Sequence, residues 1–353
     1  MRILVTGGAG FIGSALVRQA ICAGHEVLNI DKLTYAASPA SLDCVRAHPR
    51  YSFSRTDICD RRAVEALIDR FRPDVIMHLA AESHVDRSID GPGEFIETNI
   101  TGTYTMLEAA RAFLDAGKAP PGFRFHHVST DEVFGALGAQ GRFDETSPHR
   151  PNSPYAASKA SADMLVRAWS ETYRLPSLVS NCTNNYGPFQ FPEKLIPLVI
   201  LKARAEQTIP VYGKGENIRD WVYVDDHVDA LLRVAANGRP GSTYLVGGGE
   251  EWRNIDLVRR ICELMDERCP RQNGQPHASL IDFVEDRPGH DLRYAVDTSR
   301  IGRELGWQAR TCLEDGLAQT VDWYLDREDW WRPIQDRLYR GERLGRARPG
   351  ELE

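Results

Sequence analysis

The feature that most constrains the fold is a run of glycines directly after the first apolar segment. Residues 2–5 read Arg-Ile-Leu-Val, which is typical of a short buried strand, and Gly7, Gly8, Gly10 and Gly13 follow. Apolar residues then recur with helical spacing. Glycines here allow a tight turn, a close approach of backbone N–H groups to a diphosphate, and a helix N-terminus directed at that anion. The run therefore predicts a strand, a phosphate-binding turn and a helix.

A second strand-like segment ends in an acidic residue. Residues 26–30 read Glu-Val-Leu-Asn-Ile, and Asp31 comes about 20 residues after the glycines. A carboxylate at this point accepts hydrogen bonds from both ribose hydroxyls of an adenosine and repels a 2′-phosphate. The combination predicts a dinucleotide site that binds NAD in preference to NADP.

Strand-like and helix-like segments alternate through the first half of the chain. Further strands are expected near residues 51–57, 74–78 and 123–128, and long helices near 93–116 and 154–173. Such alternation implies an α/β fold with a doubly wound parallel sheet, a Rossmann domain, whose ligands lie at the carboxyl ends of the strands.

The pattern changes after about residue 180, where proline, glycine and asparagine cluster. We expect residues 1–180 to form the NAD-binding Rossmann domain, with segments near 216–240 returning to it. Residues 181–330 are expected to form mainly a smaller mixed α/β lobe that binds the substrate. Residues 331–353 are expected to form a C-terminal tail.

Length, charge and cysteine spacing narrow the class of protein. The 353 residues suffice for two lobes with their own cores, and the net charge of −7 offers no basic face for nucleic acid. No apolar stretch approaches the ~20 residues of a membrane span, and Met1 leads directly into the first strand, so no signal peptide is expected. The seven cysteines contain no Cys-x-x-Cys pair. We expect them to be reduced, mostly buried and not metal ligands, as in a cytoplasmic protein.

A Tyr155-x-x-x-Lys159 pair lies on the helix that is expected at residues 154–173. The spacing of four places both side chains on one helix face. An ammonium group near a phenol favours the phenolate, so Lys159 is expected to lower the pKa of Tyr155 toward the working range of a base. Thr130, at the end of the preceding strand, is placed to supply a hydroxyl to the same substrate oxygen. The pair therefore predicts hydride transfer at an alcohol.

Two adjacent carboxyl groups, Asp131 and Glu132, follow Thr130 directly. Such a pair serves as acid and base when its surroundings separate the two pKa values. Oxidation of an alcohol does not need this pair, and so it indicates an elimination that follows the oxidation. The sequence favours a dehydratase over a plain dehydrogenase.

At these residues the chain resembles the extended short-chain dehydrogenase/reductase family, and within it the 4,6-dehydratases of nucleotide sugars. The glycine motif at 6–13 and YAASK at 155–159 are shared by the whole family. The Thr-Asp-Glu triplet of STDEVFG at 129–135 resembles the dehydratases specifically. The other matching segments are DKLTY at 31–35, LAAESHVDRS at 79–88, NCTNNYGP at 181–188, PEKLIP at 192–197, NIRDWVYVDDH at 217–227 and DRPGHDLRY at 286–294, of which the last four are also specific to the dehydratases. Phe134 stands where Tyr is usual and Thr183 where Ser is common.

The resemblance implies a complete reaction. The substrate would be a nucleotide-diphosphate sugar, with dTDP-glucose favoured, and the cofactor would be NAD. Tyr155 would take the proton of the 4-hydroxyl while C4 is oxidised, Glu132 would remove the C5 proton, and Asp131 would protonate the departing 6-hydroxyl. Return of the hydride to C6 would give a 4-keto-6-deoxy sugar for deoxysugar biosynthesis, either of rhamnose or of a secondary metabolite.

The resemblance also implies three sets of site residues and no metal ligands. The catalytic set is Thr130, Asp131, Glu132, Tyr155 and Lys159. The cofactor-binding set is Gly7, Gly10, Phe11, Ile12, Gly13, Asp31, Lys32, Thr34, Asp57, Ile58, Leu79, Ala80, Ala81, Ser83, Thr98, Tyr155, Lys159 and Asn185. The substrate-binding set is Ser83, Thr130, Asn184, Glu193, Lys194, Leu195, Pro210, Tyr212, Arg219, Asn254, Arg287 and His290. Its cations would neutralise the diphosphate, for which Arg is suited to a bidentate grip.

Three alternatives stay open at this point: a 4,6-dehydratase of another nucleotide sugar, a nucleotide-sugar 4-epimerase, and an inactive NAD-responsive regulator. An epimerase eliminates nothing and has no use for Asp131 and Glu132, whereas an inactive regulator would be expected to lose Tyr155 or Lys159.

The two long helices near 93–116 and 154–173 imply, by the same resemblance, a homodimer held by a four-helix bundle.

Overall fold

The computed structural model describes residues 1–337 and 339. In chain order, the elements are β1 (Arg2–Thr6), α1 (Phe11–Cys22), β2 (Glu26–Asp31), β3 (Tyr51–Arg55), α2 (Arg61–Phe71), β4 (Val75–His78), α3 (Val85–Asp90), α4 (Pro92–Phe95), α5 (Thr103–Asp115), β5 (Arg124–Thr130), α6 (Pro154–Tyr173), β6 (Ser177–Cys182), β7 (Asn184–Tyr186), α7 (Leu195–Arg204), β8 (Ile209–Tyr212), β9 (Ile218–Tyr223), α8 (Val224–Asn237), β10 (Thr243–Val246), β11 (Glu251–Arg253), α9 (Asn254–Arg268), β12 (Ile281–Val284), α10 (Ser299–Leu305), α11 (Leu313–Asp326) and α12 (Glu328–Arg337). Short 3₁₀ turns cover Pro39–Leu42, Asp131–Phe134 and His277–Leu280.

Seven strands form one parallel sheet in the order β10-β6-β5-β4-β1-β2-β3. Strand β1 lies between β2 and β4, so the chain reverses its direction of travel across the sheet at that point. The crevice for ligands in such sheets opens at the carboxyl ends of the strands beside this switch point. The α/β prediction with a doubly wound parallel sheet is confirmed.

Both faces of the sheet are covered, which explains the apolar runs in its strands. Ile3 and Val5 of β1 pack with Leu16 of α1 in one core, whereas Leu4 packs with Met106 of α5 in another. Successive side chains of a strand point to opposite faces, so one strand serves both cores. The sheet is thereby fixed between helices, and its carboxyl-end loops are held at one edge.

A second body of structure follows β6. It contains the three-stranded sheet β11-β9-β7 and the two-stranded sheet β12-β8, with α7, α9 and α11 packed around them in a separate core. Helix α8 leaves this region and packs against α1, and β10 pairs with β6 at the edge of the large sheet. The division at residue 180 stays a prediction. These two elements contact the large sheet, and so does α10, which packs on β10.

The two predicted long helices differ in outcome. Helix α6 has the predicted bounds, because the Ser153 hydroxyl accepts from Ala156 N at 3.0 Å and Pro154 fits the first turn. The helix that was expected at 93–116 is instead α4, a π-helical segment at Ile96–Gly102, and α5. This segment buries Asn99. Its Oδ1 accepts from Glu82 N and its Nδ2 donates to the Glu82 carbonyl oxygen, both at 2.9 Å.

The expectation that the cysteines are mostly buried is wrong. Only Cys182 and Cys262 are buried, and Cys22, Cys44 and Cys312 are exposed, although all seven are free thiols. Cys22 is the last residue of α1 and Cys312 caps α11, and such helix ends face solvent.

The predicted tail is described only in part. Residues 331–337 belong to α12, and residues 340–353 lie outside the described residues. Across the described chain, no helix combines the length and the apolar character that crossing a bilayer requires.

Candidate active site

One cleft runs along the carboxyl ends of the central strands. It is lined by most of the predicted cofactor residues and by the whole predicted catalytic set. These lining residues are Gly7, Gly10, Phe11, Ile12, Gly13, Asp31, Lys32, Thr34, Ile58, Leu79, Ala80, Ala81, Ser83, Thr98, Thr130, Asp131, Glu132, Tyr155, Lys159, Asn184, Asn185, Glu193 and Lys194. The fold thus brings residues from 7 to 194 to one edge of the sheet.

The glycine turn is fixed by steric requirements. Gly7 has a φ of +72°, and a Cβ on it would lie 2.8 Å from the backbone of Ala80. A Cβ on Gly13 would lie 2.1 Å from the Gly7 carbonyl oxygen. Helix α1 begins at Phe11, with no side chain capping its N-terminus. Its first N–H groups therefore face the cleft without intrahelical partners, which suits an anion.

Asp31 lines the cleft at the end of β2. Its carboxylate accepts hydrogen bonds from Ala9 N at 2.9 Å and from Leu33 N at 2.8 Å, and burial raises its pKa. Lys32 lies beside it, 3.5 Å from Asp57 and 3.3 Å from the Thr98 hydroxyl. Asp57 thus contacts the cofactor region through Lys32.

The turn after β5 carries the acid pair. The Thr130 hydroxyl donates to Asp131 Oδ1 at 3.3 Å and accepts from Glu132 N at 3.3 Å. On the neighbouring strand, Asn181 donates to the Thr130 carbonyl at 3.0 Å. The turn is therefore held from both sides, and the two carboxyl groups extend into the cleft from fixed backbone.

The surroundings of Asp131 and Glu132 shift their pKa values to different extents, as an acid and a base side by side require. Burial raises the pKa of Asp131 well above its usual range, and the charges of Glu132 and Asp220 raise it further. Burial also raises the pKa of Glu132, but three cations oppose that rise. They are Arg287, Arg219 and Lys194. Asp131 is thus favoured as the protonated acid and Glu132 as the carboxylate base.

The expected effect of Lys159 on Tyr155 is not found. Burial raises the pKa of Tyr155 well above its usual range, and the Glu132 charge adds to the rise. The Lys159 ammonium donates to the Val128 carbonyl at 2.8 Å and lies 3.4 Å from His127 Nε2. In this arrangement burial and a neighbouring carboxylate outweigh the lysine, which sequence spacing could not reveal.

The cations of the second body are held by nearby acceptors. Lys194 donates to the Ser83 carbonyl at 3.0 Å, Arg219 donates to the Asp291 carbonyl at 2.9 Å, and the Arg287 guanidinium lies 3.3 Å from Asp86. All three groups act on the charge of Glu132, so they converge on the catalytic end of the cleft although they are far apart in sequence.

Several predicted site residues have unpaired buried polar atoms. Among the described residues, Asp131 Oδ2, Asn184 Oδ1, Asn254 Oδ1 and Arg287 Nε are buried and have no hydrogen-bond partner. Leaving such atoms unpaired costs about 1–3 kcal/mol each. Donors and acceptors left open in this way fit a polar ligand with hydroxyl and phosphate groups.

Some predicted substrate residues already have protein partners. Glu193 accepts from the Tyr35 hydroxyl at 3.0 Å and from Arg87 at 3.0 Å, and it is buried there. Tyr212 donates to Asp86 at 2.9 Å, and His290 binds Asp286 at 2.6 Å. Leu195 begins α7, and Pro210 lies in β8.

Sequence reasoning missed several residues that line the cleft. They are Ile30, Ala36, Ala37, Thr56, Glu82, Val128, Ser129, Cys182, Thr183, Gln190 and Phe191. The signal for most of them was present, because they neighbour predicted residues at strand ends. Gln190 and Phe191 come from the loop before α7, and only the folded chain places them there. No group of three His, Cys, Asp or Glu residues in the described chain could hold a metal ion.

Comparison with known proteins agrees with this geometry. Residues 4–320 match the family described as GDP-mannose 4,6 dehydratase. The chain belongs to this family. A probable dTDP-glucose 4,6-dehydratase of Sinorhizobium fredii is 56% identical over 98% of this chain and 99% of its own length. The dTDP-glucose 4,6-dehydratase of Neisseria meningitidis serogroup B is 54% identical over 98% and 99%.

A solved structure of the family has the same fold. The dTDP-glucose 4,6-dehydratase DesIV of Streptomyces venezuelae, crystallised with NAD and TYD bound, superposes with a TM-score of 0.87 at 45% identity, covering 95% of this chain and 100% of its own. The predicted membership of the nucleotide-sugar dehydratase branch is confirmed by these relatives.

Proposed function

We propose that the chain converts dTDP-glucose to dTDP-4-keto-6-deoxyglucose and water, with NAD as a bound catalyst. The observation that carries this proposal is the acid pair of buried Asp131 and partly buried Glu132 in the same cleft as Tyr155 and Lys159. The pair supplies an acid and a base for elimination, and the Tyr-Lys helix supplies the group for alcohol oxidation. The names and the NAD complex of the relatives support the same reading.

The residues of the cleft fit NAD. The uncapped N-terminus of α1 offers N–H groups to the diphosphate, and the turn at Gly7 and Gly13 admits no side chain that would block the approach. Asp31 would hold the ribose hydroxyls through its remaining lone pairs, and Lys32, Thr98 and the other cofactor residues would enclose the rest. When bound, NAD supplies an acceptor for the C4 hydride and a donor for its return to C6.

The protein side chains move the protons. Tyr155, assisted by the Thr130 hydroxyl, takes the proton of the 4-hydroxyl. Glu132, whose charge three cations favour against the effect of burial, removes the C5 proton that the 4-ketone has acidified and returns it to C5 when the hydride adds to C6. Asp131, kept protonated by burial, gives its proton to the departing 6-hydroxyl. The surroundings favour the acid role of Asp131, whereas burial raises the pKa of Glu132 and, more strongly, that of Tyr155.

The substrate would lie between the two bodies of the protein. Lys194, Arg219, Arg287 and His290 would neutralise the diphosphate, and Asn184 and Asn254 would use their unpaired oxygens. Pro210 and Tyr212 of β8 would pack on the base. Ser83, Glu193 and Leu195 would face the sugar, with Glu193 first releasing one of its present partners.

A substrate panel tests this proposal. The purified protein, incubated separately with dTDP-, UDP-, CDP- and GDP-glucose, is expected to give the base-induced keto-sugar absorbance most rapidly with dTDP-glucose. The product should lack the 6-hydroxyl by mass. A faster reaction with another base would assign a different nucleotide, and an unchanged formula with inverted C4 would indicate a 4-epimerase.

We also propose a homodimer formed through α5 and α6, the packed helix pair of each chain. These helices and the turn before them expose Ile96, Tyr104, Met164 and Tyr173, which are 55%, 41%, 56% and 43% accessible. Large apolar side chains in one patch mark an interaction surface. A second copy fits, because a two-fold axis would pair the two helices with themselves.

The seven free thiols support a reducing, cytoplasmic setting.

Sedimentation tests the dimer. The wild-type protein is expected to sediment as a dimer at micromolar concentration, and Met164→Glu is expected to shift it toward monomer because a charge would be buried in the interface. Phe53→Glu, on the exposed edge strand β3, is the matched control and should leave the dimer intact. A wild-type monomer would contradict the proposal.

A further inference from the structure

A buried carboxylate with no part in the proposed reaction lies directly behind Lys159. Asp163 is one helical turn further along α6, on the same face, and only 5% of it is accessible. Its Oδ1 lies 3.3 Å from His127 Nε2, and that same nitrogen lies 3.4 Å from Lys159 Nζ. The imidazole therefore stands between a buried anion and a buried cation.

Asp163 also reaches the acid turn. Its Oδ2 accepts from Asn181 Nδ2 at 2.9 Å, and the same amide nitrogen donates to the Thr130 carbonyl at 3.0 Å. Thr130 precedes Asp131 and Glu132. Asp163 thus lies beside the His127 nitrogen that also neighbours Lys159. Through Asn181 it is hydrogen-bonded to the backbone that carries the acid pair.

The titratable groups around this cluster come from strands β4, β5 and β6 and from a loop. His78 of β4 and His127 of β5 lie on the Lys159 side, and Cys182 of β6 faces the ammonium. His149 approaches Asp163 Oδ2 to 3.8 Å from a loop, with 24% of its side chain exposed. Burial lowers the pKa of His127 to about 4 and shifts that of His78 well below its usual range, so both rings are neutral at physiological pH.

Asp163 is therefore the carboxylate available to compensate the ammonium. Lys159 is 4% accessible and has one carbonyl acceptor, the Val128 oxygen. A buried ammonium without an opposite charge is unstable and releases its proton. Burial lowers the pKa of Lys159 to about 8, and the Asp163 charge is the first influence that opposes this fall.

We propose that Asp163 is a positioning residue whose nearby negative charge keeps the Lys159 ammonium charged and whose hydrogen bond to Asn181 holds the Thr130–Glu132 turn. It is not among the residues that line the cleft. The part that concerns Lys159 rests on the proposed function only in requiring a charged lysine for oxidation. One buried anion then couples the oxidising group and the eliminating pair, which lie on different elements.

A direct titration of Lys159 tests the charge-holding role. The sequence has six lysines, so holoprotein labelled with ¹³C at the lysine Cε gives few signals, and Lys159→Arg identifies the one that matters. We expect the wild-type midpoint near 8. In Asp163→Asn the midpoint should fall by at least about one pH unit, the effect of removing an opposite charge at ~4–6 Å. Asp163→Glu keeps the charge, so its Lys159 midpoint should return most of the way to the wild-type value.

Turnover against pH tests the consequence for catalysis. The rate of Asp163→Asn should approach the wild-type rate as the pH falls and should be about fivefold or more below it at pH 8, because Lys159 is then largely neutral in the variant and half charged in the wild type. A purely structural role would lower the rate equally at every pH. Glu171→Gln removes an exposed carboxylate from the same helix and is the matched control, for which neither profile should move.

The outcomes are separable. An unchanged Lys159 midpoint in Asp163→Asn would overturn the proposal. If that variant does not fold, the wild-type protein still decides, because the His127 ring signals must respond as Lys159 titrates, and their silence would overturn it too. Failure of the wild type to convert dTDP-glucose would contradict the proposed function instead, and would leave the titration intact.

Discussion

Tyr155→Phe is expected to abolish turnover of dTDP-glucose, with a loss of at least ~10²–10⁴ in kcat. The phenol is the group placed to accept the proton of the 4-hydroxyl, and every later step needs the 4-ketone. The variant should therefore also fail to exchange the C5 hydrogen with deuterated water. Keto-sugar formation and mass spectrometry of recovered substrate measure both effects.

The phenylalanine variant should otherwise be intact. Tyr155 is buried against Phe95 with ring centroids 6.3 Å apart, and the substituted ring keeps that contact. Its melting temperature and NAD content are expected to match those of the wild type. Tyr173→Phe, at the exposed end of the same helix, should retain full activity. Substantial activity in Tyr155→Phe would show that another group performs the oxidation.

The two acids are expected to fail at different steps. Glu132→Gln should still permit oxidation at C4 but should lose C5 exchange, because the amide cannot take the proton. Asp131→Asn should keep C5 exchange and lose water slowly, because the 6-hydroxyl lacks its acid. Each change is expected to cost on the order of 10²–10⁴ in the overall rate.

Exchange of the C5 hydrogen and release of the 6-oxygen, measured on the same samples, separate the two roles. Absorbance of reduced nicotinamide should build up on mixing Glu132→Gln with substrate. Glu145→Gln removes a partly buried carboxylate from the loop between β5 and α6 and should change neither measurement. Elimination at the normal rate in Glu132→Gln would mean that the pair is structural, and the dehydratase proposal would lose its main support.

The sequence alone determined the fold class and the identity of the cleft. The contact of Gly13 with the Gly7 carbonyl, the apolar runs of β1 and β2, and the capped start of α6 at Ser153 are local properties, because they depend on residues close in the chain. The position of Asp31 at a strand end and the four-residue spacing of Tyr155 and Lys159 follow from the same periodicities. These features could be predicted because neighbouring residues set them.

The tertiary structure decided the electrostatics. Whether the pKa of Tyr155 rises or falls depends on its burial and on Glu132, and the structure reverses the expected direction. The difference between the pKa shifts of Asp131 and Glu132 depends on Arg219 and Arg287, which come from the second half of the chain. The sequence does not indicate a role for Asp163, because its neighbours His127 and Asn181 lie on strands β5 and β6, far from it in the chain. Burial and charge act through space, and only the packed chain sets which distant groups share a few ångströms.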